Sequence, residues 1–354
     1  MSIQDDLKKF QQSFVDAETF YASGAYAPLD PLPPLSKVAQ VAVPRGYFDA
    51  IIDETEALGD YLIVTLRKRE GELPVGKSGQ YTSVQIMRTA GNKTYASTYA
   101  AFFCNYPSNR RWQLYVPREG YLASLSVGDT LRVSRPMGDF GYVSLRDANE
   151  VLALCCADSI APILSIADGI AQGKYDAVMR ICVYGDVDPR LQVQLNELCE
   201  RNERLSVRYL AEFTPPPHTE GISVFCSVSA RYPQLLHLAK GVTANPKYLR
   251  TVCPAKVRNE QSGAPCTLTV HTFDRDYTLS AACGETLIDV LERSDVKIES
   301  RCRTGECGWC RVRFLGGQLQ TVADTKLRMA DKEYGYTHAC KAVLTGDAEI
   351  AIDY

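Results

Sequence analysis

The sequence lacks an excess of positive charge, because 39 Lys and Arg residues face 42 Asp and Glu residues and the formal net charge is −3. A protein that follows nucleic acid phosphates needs a basic surface, so no nucleic acid partner is expected. The sequence also lacks an apolar run of the roughly 18 residues that a spanning helix needs, and no membrane span is predicted. Its first residues, Met1 to Asp6, have neither the basic nor the apolar region of a secretory leader. We therefore expect a cytoplasmic protein.

Cysteine, by contrast, is abundant, with 13 residues in a chain of 354. An odd number of cysteines cannot pair completely, and disulfides are not expected without an export signal. Hydrophobic residues at 45% and charged residues at 23% are typical of a globular protein, and the length suits two or three domains. Some of the cysteines are therefore candidate metal ligands, and the others are expected to be small buried hydrophobic side chains.

The pattern along the chain predicts a multi-domain protein. Residues 1–40 combine a helix, indicated by Leu7, Phe10 and Phe14 at helical spacing, with a proline-rich connector. In residues 41–145 short β-rich runs alternate with turn residues, which predicts an antiparallel β-barrel.

Longer apolar runs alternate with helical patterns in residues 146–245, and this predicts an α/β domain with a parallel sheet of the nucleotide-binding type. Residues 246–265 are rich in Pro and Gly and low in apolar periodicity, so they are expected to be a linker. Strand, helix and strand patterns then predict an α+β domain at 266–354.

One motif is rejected on its context. Residues 71–78, Gly-Glu-Leu-Pro-Val-Gly-Lys-Ser, fit the G-x-x-x-x-G-K-[ST] pattern of a phosphate-binding loop. That loop must run into a helix, whereas β-type alternation follows Gln80, and Pro74 removes one backbone amide. A nucleotide triphosphatase is therefore not predicted.

Four cysteines near the C-terminus have the spacing of an iron–sulfur site. Cys302, Cys307 and Cys310 fit C-x4-C-x2-C, and Cys340 follows later in the chain. This is the plant-type spacing for a [2Fe-2S] cluster. A four-cysteine zinc site is the alternative, although structural zinc usually uses two short cysteine pairs.

Four arginines, at positions 301, 303, 311 and 313, flank this loop. Each is expected to be solvated when taken singly. Together they would form a positive rim that raises the reduction potential of a cluster and favours an acidic docking surface.

The motif at 302–310, with residues 335–340 and 345–350, resembles a plant-type ferredoxin domain, whose family fold is the β-grasp. The order of barrel, α/β domain and ferredoxin domain resembles the ferredoxin-NADP reductase superfamily, in particular the reductase components that serve oxygenases. Residues 79–81, 127–131 and 136–140 carry this second resemblance.

The resemblance implies FAD or FMN in the barrel, NAD(P)H in the α/β domain, and single electrons passing through the cluster to a protein redox partner such as an oxygenase or a desaturase. The family's R-x-Y-S flavin motif falls on residues 93–100 in two possible registers, and neither register keeps both the Arg and the last Ser. The flavin contacts implied are Lys93, Tyr95, Ser97, Thr98 and Tyr99.

On the nicotinamide side the resemblance implies contacts from Pro162 and Cys226. The family's glycine-rich turn appears here as Cys-Ala-Asp-Ser-Ile-Ala-Pro at 156–162, and its C-G-P-P element appears as Cys-Ser-Val-Ser at 226–229. Glycines let a backbone approach a pyrophosphate, and an Asp adds like charge. Two functions stay open: a flavin-dependent reductase, and an electron-carrier subunit whose reductase scaffold has lost flavin or NAD(P)H binding. Catalytic residues are not assigned.

Overall fold

The computed structural model describes residues 47–90, 93–118, 120–138, 140, 150–216, 222–229, 232, 234–243, 248–252, 263–300, 303–322 and 325–353. Side chains at 87–97 and 120 are not among the described parts. The predicted N-terminal helix and connector at 1–40 lie outside the described residues.

Six strands form a closed antiparallel barrel in the order β1-β2-β5-β4-β3-β6, as predicted. Their bounds are β1 Tyr47–Leu58, β2 Tyr61–Arg67, β3 Tyr81–Ala90, β4 Lys93–Phe103, β5 Trp112–Pro117 and β6 Thr130–Ser134, with a short helix α1 Gly120–Ala123 before β6. Trp112 is fully buried and packs edge-on against Phe103, so large aromatic side chains fill the barrel interior.

Residues 71–80 run without regular structure into β3, which is a strand rather than the helix that a phosphate-binding loop needs. The Ser78 hydroxyl donates to the Ser165 carbonyl at 2.7 Å, and the Gly79 amide donates to the Ser165 hydroxyl at 3.2 Å. This segment therefore joins the barrel to the next domain.

The second sheet has five parallel strands in the order β11-β10-β7-β8-β9. The strands are β7 Glu150–Cys156, β8 Val178–Tyr184, β9 Leu205–Leu210, β10 Ser223–Ser227 and β11 Leu249–Val252. Helices α2 Ala161–Ala171, α3 Pro189–Glu200 and α4 Gln234–Val242 connect them, after a 3-10 turn Ala157–Ser159. This confirms the predicted α/β domain.

One expectation is corrected in this sheet. Residues 246–265 were expected to be a linker, but β11 lies within them and pairs in parallel with β10. Only Val252 of its four residues is buried, so the strand carries too little apolar signal to stand out in the sequence.

The C-terminal sheet is mixed, with the order β13-β12-β16-β14-β15. Its elements are β12 Pro265–His271, β13 Asp276–Ala282, α5 Leu287–Arg293, β14 Arg311–Thr321, α6 Met329–Glu333, β15 Tyr336–His338 and β16 Ala342–Ala351. The Thr286 hydroxyl caps α5 by accepting from the Asp289 amide. β12 and β16 are parallel, whereas the β12–β13 hairpin is antiparallel.

At the end of β12, His271 lies between two carboxylates. Its Nδ1 is 2.8 Å from Asp276 Oδ1, and its Nε2 is 2.8 Å from Glu349 Oε1. Hydrogen bonds to Glu349 and then Asp276 raise the pKa of His271.

The barrel and the α/β domain share one hydrophobic core. Phe102 and Tyr115 of the barrel belong to the same buried cluster as Ile163 and Val183 of the α/β domain. The C-terminal domain has its own core around Leu268, and its buried residues all come from positions 266–352. Within the described chain, no helix combines the length and the apolar character needed to span a membrane.

Candidate functional site

Strand pairing brings the last two cysteines of the motif into one region. β14 begins at Arg311, directly after Cys310, and Arg311 pairs with His338 at the end of β15. The Ala339 amide donates to the Cys310 carbonyl at 2.8 Å, so the segment that leads to Cys340 is bonded to the segment that holds Cys310. Cys310 is 2% exposed and Cys340 is 6% exposed. Cys302 lies outside the described residues.

The chain around Cys307 turns tightly because three of its residues have positive φ. Gly305 has φ +79° and Gly308 has φ +71°, and Arg303 has φ 54°. A Cβ on Gly305 would lie 2.8 Å from Cγ of Lys341, so a larger residue would clash there as well as being strained. Successive amides in such a turn form the kind of concavity that accepts anions, including iron–sulfur clusters.

The same loop is held from the side of β15. His338 is 1% exposed, and its Nδ1 lies 3.0 Å from the Gly305 carbonyl, so that nitrogen carries the proton and donates. The Lys326 amide also donates to the Gly305 carbonyl, at 3.1 Å. Lys341 is 1% exposed and adds a cationic residue beside Cys340, which suits a site of thiolate ligands.

The spacing of the cysteines separates a cluster from a zinc site. Structural zinc usually uses two short cysteine pairs, whereas Cys302, Cys307 and Cys310 lie close together in one loop and Cys340 follows later in the chain. This spacing is typical of a [2Fe-2S] cluster, which shares four thiolates between two irons.

The remaining described cysteines are of a different kind. Cys155, Cys156 and Cys182 are buried in the strands of the parallel sheet. Burial raises the pKa of the Cys155 thiol well above its usual value, and burial with the nearby Asp158 also raises the pKa of Cys156. These thiols stay protonated and pack as small hydrophobic side chains, as the sequence predicted.

The loop from 303 to 310, called here the cluster loop, contacts the barrel beside the predicted flavin motif. The Arg303 Nε donates to the Thr98 hydroxyl of β4 at 2.8 Å. Thr98 is half-buried, and Tyr99 packs against the barrel core. The predicted flavin contacts Lys93, Tyr95 and Ser97 also belong to β4, but their side chains lie outside the described parts.

The crevice at the carboxyl end of the parallel sheet is bridged by serines. The sheet order reverses between β7 and β10, which is where a dinucleotide binds in such sheets. There the Ser159 hydroxyl donates to the Ser227 carbonyl at 2.8 Å, and the Ser227 hydroxyl donates to the Ser159 carbonyl at 2.5 Å. The Ser229 hydroxyl donates to Asp158 Oδ2 at 2.7 Å. All three serines are fully buried.

The barrel holds the same turn from the other side, since the Tyr115 hydroxyl donates to the Ala157 carbonyl at 3.1 Å. Burial, with Tyr61 stacked on its ring, raises the pKa of Tyr115. The predicted nicotinamide contacts Pro162 and Cys226 are both buried. Asp158 stands where the family has a glycine, and the turn at 157–159 is bonded to residues 227–229. The described residues therefore do not fit a dinucleotide.

One comparison with known proteins covers the region of the candidate metal site. Residues 270–345 match the family described as 2Fe-2S iron-sulfur cluster binding domain. This part of the chain is a 2Fe-2S domain. The match covers Cys302, Cys307, Cys310 and Cys340, so the sequence motif and the family model agree on the region.

Curated relatives extend the likeness toward the barrel and the α/β domain. The chain is 40% identical over 74 residues to the ferredoxin–NAD(P)(+) reductase component of the naphthalene 1,2-dioxygenase/salicylate 5-hydroxylase systems of Ralstonia sp, which is 21% of this chain and 23% of that one. It is 26% identical over 224 residues to the 3-chlorobenzoate-3,4-dioxygenase reductase subunit of Comamonas testosteroni, covering 60% of this chain and 66% of the relative. Both matches thus span less than the full length of the relatives.

A solved structure covers nearly the whole fold. Phthalate dioxygenase reductase, described as a modular structure for electron transfer from pyridine nucleotides to [2Fe-2S], superposes with a TM-score of 0.62 at 16% identity, over 88% of this chain and 98% of that chain. The chain therefore shares the fold of that protein, in which a barrel and an α/β domain are followed by the C-terminal mixed sheet.

The arginines that flank the 2Fe-2S loop are not simply solvated. Arg303 pairs with Glu292, Arg311 lies 3.5 Å from Asp331, and Arg313 lies 3.2 Å from Asp353. Each described arginine thus has a carboxylate beside it, and the predicted positive rim is largely neutralised. Arg301 lies outside the described residues.

Sequence reasoning missed the contacts made by Ser159, Ser227 and Arg303. The serines are 68 residues apart, and Arg303 is 205 residues from Thr98. The one available signal was the replacement of glycines by polar residues at 156–162 and 226–229, which marked the two turns without pairing them.

Proposed function

We propose that the protein passes single electrons through a [2Fe-2S] cluster to a partner redox protein. The ligands would be Cys307, Cys310 and Cys340 of the described chain, with Cys302 of the sequence motif. The observation that carries the proposal is the pairing of Arg311 with His338, which brings Cys310 and Cys340 together within a 2Fe-2S domain. Such a cluster supplies one-electron redox chemistry.

The protein's own residues hold this site in place. The positive φ of Gly305 and Gly308 lets the loop turn tightly, and His338 fixes the loop by donating to the Gly305 carbonyl. Hydrogen bonding and burial around thiolate ligands are the features by which proteins set a cluster's reduction potential.

For the donor side, the first candidate is a flavin-dependent reductase with FAD or FMN on the barrel. Thr98 and Tyr99 of β4, together with Lys93, Tyr95 and Ser97, are the proposed contacts. The reductase relatives and the contact of the cluster loop with Thr98 support this candidate.

The second candidate is an electron-carrier subunit in which the reductase scaffold no longer takes electrons from NAD(P)H. The reciprocal bonds between Ser159 and Ser227, at the point where a dinucleotide would bind, favour this candidate. The acceptor proposed in either case is an oxygenase component or a desaturase, since the relatives are named as parts of dioxygenase systems. The predicted cytoplasmic location suits a protein whose thiols must stay reduced.

Three measurements on the purified full-length protein test the proposal. Iron and acid-labile sulfide should each be present at two per chain, as a [2Fe-2S] cluster requires, and dithionite should bleach the visible absorbance. Two further tests separate the candidates. Any bound flavin is released with acid and measured by its absorbance near the flavin bands, and the protein is then mixed anaerobically with NADH or NADPH. Protein loaded with zinc and lacking sulfide would contradict both.

A matched pair of variants localises the cluster. Cys340→Ser removes a proposed ligand, whereas Cys283→Ser alters a half-buried thiol of the same domain that lies outside the motif. We expect loss of iron in the first variant and full loading in the second.

A further inference from the structure

One side chain of the cluster loop reaches out of its own domain. Arg303 donates from Nε to the Thr98 hydroxyl of the barrel at 2.8 Å and pairs through Nη2 with Glu292 of α5. The Arg303 side chain is 10% exposed and the Glu292 side chain is 14% exposed. Charge-assisted hydrogen bonds are strong, and they are screened little where water is excluded.

The backbone of Arg303 indicates that its side chain has a specific use. Its φ of 54° lies in the left-handed region, where residues other than Gly are uncommon and are held by their surroundings. Glycine would adopt that backbone without strain. The contacts with Thr98 and Glu292 are what an arginine adds at this position.

Neighbouring contacts place the whole loop against the barrel. Cys307 and Met137 both pack against the core shared by the barrel and the α/β domain. A Cβ on Gly138 would lie 3.8 Å from Glu306 Oε2, so Glu306 is next to the same barrel segment. Helix α5 also packs beside β4. Arg303 is therefore at the centre of a contact that joins the cluster loop to β4.

We propose that Arg303 is a positioning residue that fixes the cluster loop at a set distance from β4. Its planar fork bonds Thr98 and Glu292 at once, whereas a lysine presents a single point charge. The tether would hold the cluster next to the barrel strand that carries the proposed flavin contacts. That consequence rests on the proposed function, but the tether is measured without electron transfer.

The test is hydrogen–deuterium exchange of the iron-loaded protein, read in peptides that cover residues 303–310. Thr98→Val removes the acceptor on the barrel without altering the loop, and Arg303→Lys removes the fork. We expect each to speed exchange in the loop by about tenfold, the factor that corresponds to ~1.4 kcal/mol of local opening free energy. Adding Thr98→Val to Arg303→Lys should change exchange little, because Arg303→Lys already removes the bond to Thr98.

Matched controls separate positioning from general loss of stability. Thr65→Val alters a barrel threonine whose hydroxyl bonds within the barrel, and Arg293→Lys alters an arginine that bonds within its own domain. Neither control should change exchange in the loop. Thr98→Ser keeps the hydroxyl and should restore the slow exchange.

The outcomes decide the proposal in each case. The tether would be overturned if the loop exchanged at the same rate in Thr98→Val as in Thr65→Val. It would also be overturned if the effects of Thr98→Val and Arg303→Lys on loop exchange were simply additive. If Arg303→Lys loses its iron, the test rests on comparing loop exchange between Thr98→Val and Thr98→Ser. Protein that shows the tether but carries no reducible cluster would overturn the proposed function alone.

Discussion

The closed crevice at the carboxyl end of the parallel sheet makes a direct prediction about nicotinamide cofactors. The electron-carrier candidate predicts that neither NADH nor NADPH binds there at micromolar concentration and that neither reduces the cluster. The turn at 157–159 and the turn after β10 are bonded to each other, and a pyrophosphate would have to separate them.

The size of the effect follows from the bonds that must break. They are the two bonds between Ser159 and Ser227, the bond from Ser229 to Asp158, and the bond from Tyr115 to the Ala157 carbonyl. At about 1 kcal/mol each, opening costs about 4 kcal/mol. An open state of that energy weakens the apparent affinity by about a thousandfold.

The assay is anaerobic equilibrium dialysis of the iron-loaded protein against NADH and NADPH, with absorbance recorded in parallel. Replacing both Ser159 and Ser227 by Ala removes two of the bonds and should strengthen residual binding by about thirtyfold. Ser206→Ala, at an exposed position of β9, is the control and should change nothing. Micromolar binding of either nucleotide to the unaltered protein would refute the reasoning.

Three further predictions concern the fold. Gly305→Ala should abolish iron loading, because the new Cβ would be strained by the positive φ and would also clash with Lys341. Gly173→Ala is the control: its φ is also positive but there is open space around it, so the variant should lose only about 1 kcal/mol of stability, and iron content and thermal denaturation check both variants. The two carboxylates beside His271 favour its protonated ring only in the folded state, so the pKa of His271 is raised on folding. The unfolding free energy of the 2Fe-2S domain should therefore fall as the pH rises from 6.5 through this raised pKa. Urea titrations at pH 6 and pH 8 measure the fall, and His271→Gln should reduce it. Phe102→Ala should destabilise by about 3–5 kcal/mol, and calorimetry should show the barrel and the α/β domain shifting together, whereas two separate shifts would argue against a shared core.

The elements that the sequence predicted well carry a strong apolar signal. In the predicted α/β domain, β8 Val178–Tyr184 is apolar except for Arg180, and its last four residues are all buried because an interior parallel strand is covered on both faces. β11 was missed because three of its four residues are not buried. The cysteine motif was readable because three of its cysteines are close together in the chain and their spacing is specific.

Contacts between distant turns could not be read in the same way. The Ser159–Ser227 bonds depend on β7 and β10 being neighbours in the sheet, and a serine carries no mark of its partner. The Arg303–Thr98 bond depends on how two domains pack. Long-range polar pairs of this kind are set by tertiary geometry rather than by local pattern.

The shared core has a consequence for how such a chain can be recombined. Phe102 of the barrel and Val183 of the α/β sheet belong to one buried cluster, so cutting between these domains would expose apolar surface on both pieces. In the described chain the 2Fe-2S domain keeps its own core within 266–352, and its contacts with the rest of the protein include Arg303 with Thr98 and Cys307 with the shared core. A gene fusion that exchanges the C-terminal module must therefore replace these contacts, whereas the first two domains must move as one piece.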